Sequence, residues 1–138
     1  MNKSAYIKLV NGSAQTEITL AEVKKLFEHY QHMTSLTGQQ LGWDYKAAAF
    51  PYTMEEKEQG GIPYLLLNGN QTQLYHYLIV GVSQEEETGL HYIQIVLPEQ
   101  ATHGDLAKAN EFCKYLAKRL KGELHLFNGR IIYYNPRK

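Results

Sequence analysis

Three apolar, alternating segments at residues 62–67, 74–82 and 90–97 follow one another with only a few residues between them. Parallel neighbours need a crossover of roughly a dozen residues or more, so these segments pair antiparallel. A helical pattern lies on each side of them. Thr19-Leu-Ala-Glu22 reads as a capping box, and residues 20–36 carry an apolar stripe of Leu20, Val23, Leu26, Phe27, Tyr30 and Met33. Gly38 reads as its stop. The second helix spans about residues 105–121, with Thr102 as cap and Asp105 three positions on. Its stripe runs through Leu106, Ala109, Phe112, Cys113, Leu116, Ala117 and Leu120.

The flanks complete the pattern. Residues 5–10 alternate like a strand, Asn11-Gly12 suggests a turn, and residues 15–18 suggest a short return strand. At the other end, Asn128-Gly129 predicts a hairpin between residues 123–127 and 130–134. Residues 38–61 are harder to read. Trp43, Tyr45, Phe50 and Tyr52 should anchor the segment, Ala47-Ala-Ala49 suggests a helical turn, and the polar run 55–61 reads as a surface loop. The expected fold is a single α+β domain over 1–138. It has two layers, a mainly antiparallel sheet with two amphipathic helices on one face, in the order β(β)-α-βββ-α-ββ.

With 138 residues the chain can bury a core without disulfides or metals. No apolar run reaches the ~20 residues of a membrane span, and the N-terminus has no apolar signal stretch. The lone cysteine favours a reducing cytoplasm. Formal charge is zero, but residues 1–100 hold 6 basic and 11 acidic side chains, while 101–138 hold 8 and 3. The acids cluster at 55–58 and 85–87, the bases from Lys108 to Lys138. Such a chain can pair with itself within one molecule, steer a head-to-tail contact or offer one end to an anion.

Strand alternation sets Leu74, His76, Leu78, Val80 and Val82 against Tyr75, Tyr77 and Ile79. If the aliphatic set faces the helices, Tyr75, Tyr77 and Tyr92 pave the outer face, with Tyr6 and Lys8 beside them. Eleven tyrosines against four phenylalanines favour rings whose hydroxyls stay wet. Such a face suits a protein contact, including a second copy of the chain. It is also a surface on which bases can stack, but the RNA-recognition signature is missing and nucleic acid is disfavoured.

Catalytic signals are sparse. His29 and His32 share a helix face without a third ligand, and His76 and His91 are expected on neighbouring strands. Thr102, His103 and Asp105 open the second helix, where free amides and the helix dipole form a potential anion site. Cys113 falls on the buried stripe, which suits a core thiol. No phosphate loop, paired-cysteine motif, His-Glu-x-x-His or nucleophile elbow occurs. An enzyme is therefore disfavoured, and neither cofactor nor metal is expected.

Residues 1–10, the stretch Leu97-Pro98 … Thr102-His-Gly-Asp105 … Ala109-Asn-Glu-Phe-Cys113, and Glu123-Leu-His-Leu-Phe-Asn-Gly-Arg130 carry a resemblance. The chain resembles a family of small proteins from Bacillus and related bacteria, a domain of unknown function. The resemblance implies a cytoplasmic bacterial protein. It also implies an antiparallel sheet with helices on one side, loosely like the topology of a TATA-binding-protein repeat. It implies no catalytic residue, and a shared topology imports no DNA binding. The leading expectation is a non-enzymatic interaction module that self-associates through the tyrosine face. An anion-binding or catalytic site at the second helix is the alternative, and single-stranded nucleic-acid binding the third.

Overall fold

Two capping boxes start two helices, as the sequence predicts. The structure, a computed structural model, describes residues 2–42, 48–71 and 73–135. Helix α1 spans Leu20–Leu41, and Thr19 Oγ1 accepts from Glu22 N while Glu22 accepts from Thr19 N. Helix α2 spans His103–Leu120, with the same reciprocal bonds between Thr102 and Asp105. α1 runs past Gly38, which is buried inside it, and ends at Gly42 in the left-handed conformation. The positive φ of 76° identifies Gly42 as the true stop, since few other residues adopt it.

The strands are β1 (Lys3–Lys8), β2 (Tyr52–Gln59), β3 (Ile62–Gly69), β4 (Tyr77–Gln84), β5 (His91–Leu97), β6 (Glu123–His125) and β7 (Ile131–Tyr133). They form one seven-stranded sheet in the order β2-β3-β4-β5-β1-β6-β7. Every pairing in it is antiparallel. The expected two-layer α+β architecture is present, with two differences at element level.

Residues 15–18 form no strand. Ser13 Oγ donates to Lys121 O, and Ala14 N donates to Leu120 O. The carbonyls ending α2 thus take the donors that a hairpin would have used. Residues 55–59, expected in a loop, belong to β2. Gly60 and Gly61, with φ of 60° and 81°, make a two-residue hairpin turn, and Gln59 faces Ile62 across it. The glutamates hid this strand. β2 is an edge strand, where charged side chains are tolerated and discourage edge-to-edge pairing.

Both helices cover one face of the sheet. Ala5, Ile7, Leu65, Leu67, Leu78, Val80, Ile93 and Ile95 point into that layer and are fully buried. Phe27 and Tyr30 of α1 meet Phe112 of α2 edge-on, each with ring centroids 5.6 Å apart. Phe50 and Tyr52 join this cluster, as expected of anchors. Trp43, Tyr45 and Ala47 lie outside the described residues. Among the described residues no helix is long and apolar enough to cross a membrane.

Candidate functional site

The sheet has a second face, and no helix among the described residues packs on it. Register places its side chains in rows. Leu66, Ile79, Val96 and Ser4 stand side by side across β3, β4, β5 and β1. In the next rows Gly81, Gln94, Tyr6, His125 and Ile131 align, then Ser83, Tyr92, Lys8, Glu123 and Tyr133. Tyr6 and Tyr92 are diagonal neighbours and stack edge-on at 5.5 Å. Ile62, Ile131 and Tyr133 are 67%, 44% and 44% exposed. Two lysines on this side pair with glutamates of the same chain, and His125 bonds a third glutamate. Lys8 Nζ lies 3.0 Å from Glu85, Lys57 lies 3.6 Å from Glu55, and His125 Nε2 bonds Glu123 at 2.7 Å.

This face is forked. The β3–β4 ladder runs from Asn68↔Tyr77 to Leu65↔Val80. Beyond that point β3 continues with β2 to Ile62, and β4 continues with β5 to Gln84. Between the arms lies a groove of about 560 Å³, lined by Ile62, Tyr64, Ile79, Gly81, Tyr92 and Val96 among others.

The three tyrosines expected on this face are not all there. Tyr77 and Tyr92 are, each half-buried by its neighbours. Tyr75 is a correction. It precedes β4, so strand alternation does not govern it, and it packs on the core against Tyr52 at 5.7 Å. Nor do all tyrosine hydroxyls stay wet. Tyr115 Oη donates to Leu26 O, and the Tyr52 hydroxyl, on a residue only 2% exposed, donates to Asp105.

That last bond changes the meaning of the α2 terminus. Asp105 is fully buried. Its Oδ1 accepts from Tyr52 Oη at 2.5 Å, and its Oδ2 accepts from His76 N and Thr102 N at 3.0 Å each. Thr102 Oγ1 accepts from Asp105 N and donates to Leu74 O. Burial, reinforced by the Asp105 bond, pushes the Tyr52 hydroxyl far up. The terminus therefore already holds an anion, the protein's own carboxylate, and uses it to pin β2 and the approach to β4 onto α2. Thr102 and Asp105 are committed to this lock, and only His103 faces solvent. A groove of about 610 Å³ passes the same corner, with Leu74, Leu97, Pro98 and Leu106 supplying much of its wall.

The other expected clusters disperse. His76 precedes β4 and His91 pairs with Gln84 at its far end, so the two are not neighbours. His29 and His32 are exposed on α1, and no metal-holding group of three ligands occurs among the described residues. Cys113 is buried, and burial pushes its thiol up to about 12. Lys114, Lys118, Arg119 and Lys121 lie exposed along α2, while Arg137 and Lys138 lie outside the described residues.

Sequence reasoning missed the fork and the Tyr52–Asp105 bond. The Gly60-Gly61 pair, read as a hairpin turn, would have supplied β2 and its register against β3. Nothing in the sequence announces the Tyr52–Asp105 bond, because its partners are far apart in the chain.

Comparison with known proteins agrees with this fold. Among curated proteins no match is found. A crystal structure of a protein of unknown function from Bacillus stearothermophilus is 46% identical, with a TM-score of 0.57. The match covers 87% of this chain and 91% of that one. The model of a domain of unknown function, DUF1885, matches residues 3–136. The chain belongs to the DUF1885 family.

Proposed function

We propose that the protein is a non-enzymatic interaction module that forms a dimer through the outer face of its sheet. One observation carries this reading: among the described residues the helices cover one side of the sheet, and the open side is forked, with a mainly apolar groove between its arms. The size fits. Seven strands at ~4.8 Å spacing, most of them ~20–25 Å long, present on the order of 500–700 Å² before side-chain relief. A standard interface buries about 800 Å² per partner. The charge balance favours a second copy over other partners. Lys8 and Lys57 each lie beside a glutamate of the same chain, so two such faces meet with these cations already neutralised. A nucleic-acid surface would need unpaired cations there.

The lone, buried Cys113 fits a reducing cytoplasm, which we propose as the compartment. The anion-site alternative is weakened by the carboxylate already seated at the α2 terminus.

Ile79→Lys tests the dimer. It puts an unpaired ammonium in the middle of the face, while the half-buried position lets the isolated chain keep the charge in water. Sedimentation equilibrium should show the wild type near twice its 15.9 kDa chain mass and the variant near one. If both have the same mass, the outer face is the wrong surface. A monomeric wild type that binds a single-stranded oligonucleotide with steep salt dependence would replace the dimer by the nucleic-acid reading.

A further inference from the structure

Gly81 lies inside β4, in the middle of the outer face, with an unbroken register from Ile79↔Val96 to Ser83↔Tyr92 on its β5 side. A glycine there weakens a strand, because it has no side chain to pack and more backbone freedom to lose. The fold itself does not require it. Gly81 has no positive φ, and a β-carbon added to it would meet nothing within 4 Å. By contrast, a β-carbon on Gly69 would strike the Tyr75 carbonyl, and one on Gly104 would strike Leu74 O. The space over Gly81 lies where β3 leaves β4, at the mouth of the fork.

We propose that this space is the socket of the dimer, and that it receives the Tyr92 ring of a second copy. The inference rests on the self-association reading and specifies its contact. Tyr92 lines the same groove, diagonal to Gly81 across β4 and β5. A two-fold axis between the two residues brings each ring over the other chain's glycine, the reciprocity that an isologous contact demands. The edge-on contact with Tyr6 at 5.5 Å holds the Tyr92 ring before any partner arrives, which lowers the entropy lost on docking. A phenol also suits the site: its ring meets Ile79 and Val96, and its hydroxyl can reach Gln94 or water at the rim.

The experiment measures dimer dissociation for the wild type, Gly81→Val and Tyr92→Ala, with thermal melts of each. Valine fills the socket, has open space around it and is a better strand former, so the chain should stay folded. Dissociation constants should rise at least about 30-fold for either variant, the scale of a residue at an interface centre. A wild-type dimer that Gly81→Val and Tyr92→Ala leave intact overturns the socket and spares the dimer. A monomeric wild type overturns both. Should Gly81→Val melt early, Tyr92→Ala decides alone, since it only removes a side chain from the open face.

Discussion

Replacing Asp105 by alanine should cost this small protein a large part of its stability. The carboxylate satisfies the Tyr52 hydroxyl and the amides of His76 and Thr102 in a site that water does not reach. Each donor stranded there costs about 1–3 kcal/mol. The losses are not additive, because the corner can relax and admit water, so about 3–5 kcal/mol is the working figure. At roughly 0.05–0.15 kcal/mol per residue the whole chain has on the order of 7–20 kcal/mol. The melting temperature should fall by about 10–20 °C. Urea titrations followed by far-UV circular dichroism, at one fixed protein concentration, measure it directly. Asp105→Asn keeps one acceptor oxygen and should lose about half as much. Tyr52→Phe, which strands no backbone donor, should lose about 1.5–3 kcal/mol. An Asp105→Ala protein within about 1 kcal/mol of wild type would refute the lock, because no dry, triply bonded carboxylate is removed that cheaply.

Other outcomes follow from the same structure. Cys113 is held protonated by burial up to about 12, against about 8.5 in an unfolded chain. A group raised in this way adds stability that is complete below the unfolded value and drains as pH climbs toward the folded one. Stability should fall by about 1.4 kcal/mol per pH unit from near pH 9, more steeply above pH 10 where Tyr52 adds its share. Cys113→Ala should flatten the first part, and a wild-type curve level to pH 11 would contradict the burial argument. In the native state the thiol should react with a disulfide reagent only as fast as the chain opens. Gly69→Ala should destabilise by several kcal/mol, since its β-carbon would lie 1.9 Å from the Tyr75 carbonyl oxygen; a melt close to wild type would show that the 69–75 turn gives way. Phe112→Ala should cost about 3–5 kcal/mol, with the loss of ring contacts to Phe27, Tyr30 and Phe50 read by the same titration.

Local chemistry was legible in the sequence, and long-range chemistry was not. Thr19 with Glu22 and Thr102 with Asp105 fix two helix starts within three residues, and the structure has both boxes. Asn128-Gly129 turns the last hairpin where its φ preference predicts, with Gly129 at φ 88°. β2 was obscured because propensity reads Glu55, Glu56 and Glu58 as coil, whereas an edge strand tolerates them. Alternation misplaces Tyr75 because β4 begins only two residues later, at Tyr77. The outward Tyr77 and Tyr92 follow from alternation inside true strands, where the period of two holds. Asp105 shows the limit most plainly. Its capping role is written in the local sequence, but its burial depends on β2 and the approach to β4 closing over it, partners 53 and 29 residues away.

The oligomeric state of the unmodified wild type tests the central claim most directly. Sedimentation equilibrium over a wide concentration range should resolve a reversible monomer–dimer exchange, with the dimer near twice 15.9 kDa. A single species at 15.9 kDa throughout would mean that the open sheet face does not bind its own kind, and the account of this face would fall.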